Sequence, residues 1–137
     1  MTKISQQKNV QLVKKLYGAF QKGNIQFILD ALAEDVDWEL VGPVDVPYAG
    51  KRSGRAQVLE FFKVIDRTAE YEEFLPKEFI AQGNKVVVLG HERGRIKSTG
   101  RTFENDWMML FILRGGKIVR HICYEDTGKM LTALHAA

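Results

Sequence analysis

The sequence predicts an α+β fold, a single domain with its helices first and an antiparallel meander after them. Three observations carry this. Apolar residues recur at spacings of three and four in the first half and change period in the second. The dipeptides Gly83-Asn84 and Gly115-Gly116 each separate two strand-like runs in that second half. The 137 residues, 45% hydrophobic and 27% charged, suit one core and are too few for two domains.

Residues 5–22 read as the first helix, because Val10, Val13, Leu16, Tyr17 and Phe20 fall on one face. Gly23 is placed to end it, and Asn24 to cap a second helix whose face is Ile25, Ile28, Leu29 and Leu32. The alternation over 35–41 predicts a short strand, broken by Gly42-Pro43. Pro47 and Gly50 make the following segment a loop, with Lys51-Arg52 as solvated charge. Ser53 is the expected N-cap of a third helix over about 54–68, with Val58, Phe61, Phe62 and Ile65 on one side.

Residues 72–82 contain Phe74, Phe79, Ile80 and a proline, the pattern of an irregular or edge strand. A strand over 85–93 follows the Gly83-Asn84 turn. Ser98 to Gly100 turns the chain into a long strand over 102–113, and Gly115-Gly116 leads into another over 117–126. A short helix at 127–135, with Met130, Leu131 and Leu134, closes the order. In the strand over 102–113, Trp107, Met109, Phe111 and Leu113 alternate with Met108, Leu110 and Ile112, so both faces are apolar. A sheet with one wet face does not do this. The helices cover one face; the expected cover for the other is a second copy of the sheet, giving a homodimer, or else the chain's own terminal helix.

Several function classes fall away. A net charge of +3 spread along the chain makes no nucleic-acid footprint. No apolar run approaches the ~20 residues that span a bilayer. Residues 1–17 are polar and amphipathic, unlike a secretory leader, and with the lone Cys123 the expectation is a cytoplasmic protein without disulfides. His91, His121 and His135 show no metal-ligand spacing, and no phosphate loop, nucleophile elbow or dinucleotide fingerprint occurs, so neither metal nor cofactor is expected.

Short motifs in a fixed order carry a resemblance. They are 33–38 (AEDVDW), Gly42-Pro43, Pro47-Tyr48-Ala49-Gly50, Gly54-Arg55, Thr99-Gly100, Gly116-Lys117-Ile118 and Tyr124-Glu125-Asp126-Thr127. In this order the chain resembles the SnoaL-like polyketide cyclase and ketosteroid isomerase-like group of the nuclear transport factor 2-like superfamily. The resemblance implies a cone-shaped, curved antiparallel sheet packed with three N-terminal helices (a cystatin-like roll) around an apolar pocket. It also implies cofactor-independent isomerase or cyclase chemistry on a small apolar carbonyl compound. A fold of this kind equally hosts binding modules and hydrolases.

Asp126 is the expected base. It shares a strand face with Ile122 and Tyr124, and the resemblance places a catalytic aspartate at this strand end; the other reading is that it caps the helix starting at Thr127. If its face is the concave one, burial raises its pKa and suits it to proton abstraction. His91 and Arg93 share a face with Val87 and Leu89 and are expected to steady an oxyanion, unless that face is solvated, as is expected for Arg95. Arg95 also stands where epoxide hydrolase-like relatives keep an acid, which counts against epoxide hydrolysis. Trp38, Tyr48, Trp107 and Tyr124, with Met109 on the Trp107 face, form the expected wall around a flat ligand. Tyr17 matches the hydroxyl that ketosteroid isomerases direct into the pocket, whereas the aspartate expected in the first strand is replaced around Leu40, which disfavours steroid isomerisation.

Overall fold

The computed structural model describes residues 2–135. Helix α1, Lys3–Gln21, begins at Thr2, whose hydroxyl accepts from the Ser5 N–H, and buries Val13, Leu16 and Tyr17 on the expected face. Asn24 caps α2, Ile25–Asp30, accepting from the Phe27 N–H at 3.2 Å. The helix is short because Leu32 opens β1, Leu32–Leu40, instead of extending the helical face. There the Ala31 carbonyl accepts from the Ile118 N–H at 2.9 Å, and strand pairing takes over from the helix.

Gly50–Ser53 forms β2, an edge strand on β1, where the sequence pattern predicted only a loop. Ser53 therefore belongs to the strand and does not cap α3, Arg55–Thr68. Gly54 takes the cap position with φ 83°, a left-handed conformation that glycine adopts without strain. Gln57 accepts the Ser53 N–H through Oε1 at 2.7 Å instead.

Strands β3 (Ala69–Gln82), β4 (Lys85–Ile96), β5 (Thr102–Arg114) and β6 (Lys117–Glu125) form the meander, and α4, Thr127–Leu134, follows. The six strands make one curved, unclosed sheet in the order β2-β1-β6-β5-β4-β3. It is not wholly antiparallel: β1 runs parallel to its neighbour β6. Pro76 sits beside a register shift in edge strand β3, where a missing N–H is tolerated.

The inner face is set by which alternate residues are buried. On β4 these are Val86, Val88, Gly90, Glu92, Gly94 and Ile96; on β5 they include Phe103, Asn105, Trp107, Phe111 and Leu113. The helices pack on this side, and α4 joins the same core through Met130 and Ala133. The outer face stays apolar but uncovered in the single chain, with Met108 and Tyr124 exposed at 44% and 45%. Among the described residues no helix is long and apolar enough to cross a membrane.

Candidate functional site

Between the helices and the inner sheet face lies a cavity of about 70 Å³. Leu16, Tyr17 and Phe20 of α1 and Phe61, Phe62 and Ile65 of α3 form one wall. Trp38 and Leu40 of β1, Met109 and Phe111 of β5, and His121 and Cys123 of β6 form much of the other. Two carboxyls interrupt this apolar lining: Glu92 of β4 and Glu125 of β6.

Glu92 keeps only 2% of its surface exposed. Burial disfavours its charge, the neighbouring Glu125 charge opposes it further, and a hydrogen bond to Glu125 holds its proton, so its pKa is pushed up to about 9. Burial also raises Glu125, to about 7, while the hydrogen bond from Glu92 pulls the other way. Near neutrality the pair together holds one proton and titrates the second. Oε2 of Glu92 and Oε1 of Glu125 have no protein partner. A neutral carboxyl that donates stands beside a carboxylate that accepts a proton near pH 7, the environment-split pairing of acid and base sites.

Other polar groups surround the pair. Asn105 is the register partner of Glu92 and only 1% exposed; its Nδ2 donates to the Asp126 carbonyl at 3.3 Å, while its Oδ1 is unpartnered. The Tyr48 hydroxyl is likewise unpartnered, and burial, then the charges of Glu125 and Glu92, raise its pKa. His121 stacks on Trp38 with ring centroids 3.8 Å apart, and burial lowers its pKa to about 3, so the ring is neutral. Among the described residues no three His, Cys, Asp or Glu side chains are grouped to hold a metal ion.

Of the residues expected from sequence, Tyr17, Trp38 and Met109 line the cavity. Trp107 stands behind its wall, stacked on Tyr17 at 5.5 Å and on Phe74 at 5.0 Å. Tyr48 is buried but outside the lining, and Tyr124 is on the outer face. Asp126 does not reach the cavity. It caps α4, accepting from the Gly128 N–H at 3.1 Å, the capping alternative. His91 and Arg93 also point away from it, because their strand parity is the outer one. His91 bonds Asp106 at 2.7 Å and Glu104 at 2.8 Å, and Arg93 pairs with Glu73 at 3.0 Å. The expected face was the convex one, and the inward carboxyls are one residue away on each strand: Glu125 beside Asp126, Glu92 beside His91 and Arg93. The alternation of Gly90 and Gly94 around Glu92 was the available signal.

Residues 13–121 match the family model of the SnoaL-like domain. An NTF2-like protein from Burkholderia xenovorans LB400 is 35% identical with a TM-score of 0.86, over 95% of this chain and 98% of that one. An NTF2-like protein of unknown function from Burkholderia pseudomallei K96243 is 28% identical with a TM-score of 0.87, over 94% and 98%. TerC, co-crystallized with polyporic acid, is 26% identical with a TM-score of 0.85, over 94% and 99%. No curated protein matches the chain. With most of its length matched by that model, and with a close structural counterpart along nearly all of it, the chain belongs to the SnoaL-like family of NTF2-like α+β domains.

Proposed function

We propose that this chain is a cofactor-independent isomerase or cyclase that moves a proton on a small, apolar carbonyl compound. The observation that carries this reading is the Glu92–Glu125 pair in an otherwise apolar cavity. Glu125, as the carboxylate, removes a proton from the carbon beside the carbonyl. As Glu125 becomes protonated it ceases to be the charged acceptor of the Glu92 proton, and Glu92, the neutral acid, turns that hydrogen bond to the oxygen on which negative charge develops. Return of the proton from Glu125 to another carbon completes an isomerisation; attack of the enolate carbon on a second carbonyl of the same molecule, with the Glu125 proton passed to the alkoxide so formed, completes a cyclisation. The dry walls strengthen both interactions. The relative co-crystallized with polyporic acid supports a ligand-receiving cavity in this fold.

Acetophenone serves as a generic test compound, with exchange of its methyl protons for deuterium followed by NMR. The wild type is expected to accelerate exchange, and Glu125→Gln to lose at least ~100-fold of that acceleration, the usual worth of a positioned base. Equal exchange by both proteins removes the mechanism.

We also propose that a second copy of the chain covers the outer sheet face. Ile80, Val87, Leu110 and Ile122 form one apolar row across four strands by register, and Leu89, Met108 and Tyr124 form the next. A contiguous apolar surface of this kind is characteristic of an interface.

A further inference from the structure

The cavity, at about 70 Å³, is less than half the size of an apolar cavity that takes benzene, roughly 150 Å³. A carbonyl compound therefore enters only where part of the wall gives way. A groove of about 860 Å³ opens on the outside between α1, α3 and edge strand β3, and Phe20, Phe62, Ile65, Tyr71 and Phe74 line both it and the cavity. The hollow on the outer sheet face meets the cavity lining only at Glu125, and there the paired backbones of β5 and β6 stand in the way.

Phe20 closes the shared wall. It comes from the last turn of α1 and is half-buried, with its ring centroid 4.9 Å from Phe74, 6.0 Å from Tyr71 and 6.0 Å from Phe62. Tyr71 and Phe74 of β3 contact one another at 5.4 Å, and among these four rings it is Phe20 that joins them to Phe62 of α3. Both of its supports are soft. Helix α1 ends one residue later, and Gly23, with φ 75°, turns the chain away. Strand β3 pairs on one side only, and its register shifts between Tyr71 and Glu73. An exposed hydrogen bond, from Gln21 Nε2 to the Phe74 carbonyl at 2.8 Å, ties the helix end to the strand.

We propose that Phe20 is the gate and size filter of the cavity, that Gln21 latches it, and that a flat, apolar ligand enters between α3 and β3 by turning the Phe20 ring out into the groove. With the ring displaced, cavity and groove are one space, so a ligand longer than one ring extends past Phe20 while its inner end lies in the cavity. The gate rests on the cavity's receiving an apolar ligand, not on the proton transfer proposed for it.

The test is the association rate of acetophenone, read by stopped-flow quenching of tryptophan fluorescence, since Trp38 lines the cavity. Phe20→Ala is expected to raise the rate constant at least ~10-fold, because only the open fraction of the wild type binds, and Phe20→Leu is expected to lie between the two. Gln21→Ala, which leaves the cavity lining intact, should raise it about twofold to fivefold, the worth of one exposed hydrogen bond. Phe61→Ala is the control. It enlarges the cavity on a wall the groove does not touch, and is expected to slow dissociation while association stays within about twofold. 4-Acetylbiphenyl, whose second ring has to pass Phe20, should gain about tenfold in affinity over acetophenone in Phe20→Ala. If Phe20→Ala does not fold, Phe20→Leu and Gln21→Ala carry the test. An association rate that neither the Phe20 variants nor Gln21→Ala raise, an equal rise in Phe61→Ala, or no binding of either ketone to Phe20→Ala overturns the gate. The deuterium exchange separates the two ideas. A rise that depends on Phe20 without exchange leaves only the gate; exchange that depends on Glu125, with association indifferent to Phe20, leaves the enzyme reading standing alone.

Discussion

Gly90 and Trp107 are cross-strand partners, and the indole lies so close over the glycine that a Cβ there would meet Cζ2 at 2.2 Å and Cη2 at 2.4 Å. Gly94 has the same relation to Phe103, whose Cζ would be 2.8 Å away. The two glycines flank Glu92 on the inner face of β4, so two large rings settle across the strand on either side of the buried carboxyl. Trp107 then supports Tyr17 and Phe74, which line the cavity.

Gly90→Ala is therefore expected to destabilise the fold by about 1–3 kcal/mol, the range for overpacked cores. The added methyl meets rigid ring atoms, and displacement of the indole passes to Tyr17. Gly18→Ala is the control: it lies in α1 with nothing within 4 Å of the added carbon, and alanine is expected to stabilise that helix by roughly 0.5–1 kcal/mol. Urea unfolding of the two variants should give opposite signs. A neutral Gly90→Ala would show that the indole is free to move.

Adjacent carboxyls on β6 and its end separate two roles. Glu125→Gln removes the proposed base, whereas Asp126→Asn replaces a helix cap by an equally good one. Asp126→Asn is thus expected to keep exchange of acetophenone within about twofold of wild type and stability nearly unchanged. Asp126→Ala should cost about 1 kcal/mol of stability with no comparable loss of rate. A large rate loss in Asp126→Asn with normal stability would restore the strand-end aspartate as the active carboxyl.

The parity of these strands explains what was legible and what was not. The faces themselves could be read: His91, Arg93 and Arg95 do share one. What local pattern cannot supply is which face the helices cover. Val86, Val87, Val88 and Leu89 are apolar at both parities, and β5 is the same. Beyond residue 89 the inward set continues as Gly90, Glu92 and Gly94, which looks like turn chemistry, and the outward set as His91, Arg93 and Arg95, which looks like a site. Strand β2, of sequence GKRS, has no apolar period at all, because it is a short edge held by the backbone of β1. Helix α1 was readable because its long amphipathic face is a local property.

The outer face leads to a prediction about assembly. Met108 and Leu110 sit on the outer parity of β5, and α4 joins the inner core, so the chain's own terminal helix is not their cover. Wild type is expected to sediment as a dimer. Leu110→Glu, which places a charge in the middle of the Val87–Leu110–Ile122 row, should shift it to monomer while circular dichroism stays native. A monomeric wild type at micromolar concentration, or a variant that stays dimeric, removes the proposed interface.

The buried titratable groups set the pH dependence of stability. Glu92 and Glu125 are raised from 4.5 to about 9 and about 7, so above pH 4.5 the folded chain holds protons that the unfolded chain has released. Their contribution is complete below that value and is lost as pH rises through the folded pKa values, at up to about 1.4 kcal/mol per pH unit for each group. His121 works in the opposite sense. Its pKa falls from 6.5 to about 3, so its neutral burial is favourable above 6.5 and is lost as pH falls through the window to 3. Half-buried His91 is raised by its hydrogen bonds to Asp106 and Glu104, and it adds to the loss on the alkaline side. Two carboxyls outweigh one histidine between 4.5 and 6.5, while below that window His121, together with Asp106, whose hydrogen bond to His91 lowers its pKa, acts in the opposite sense, which places the maximum stability on the acid side of neutrality. Thermal unfolding of the wild type from pH 4 to 9 should fall steadily above that maximum. In Glu92→Gln/Glu125→Gln the alkaline decline should be largely removed and the acid limb retained, since His121 is untouched. An alkaline slope that is the same in both proteins would mean that the two carboxyls are not buried together in the folded chain.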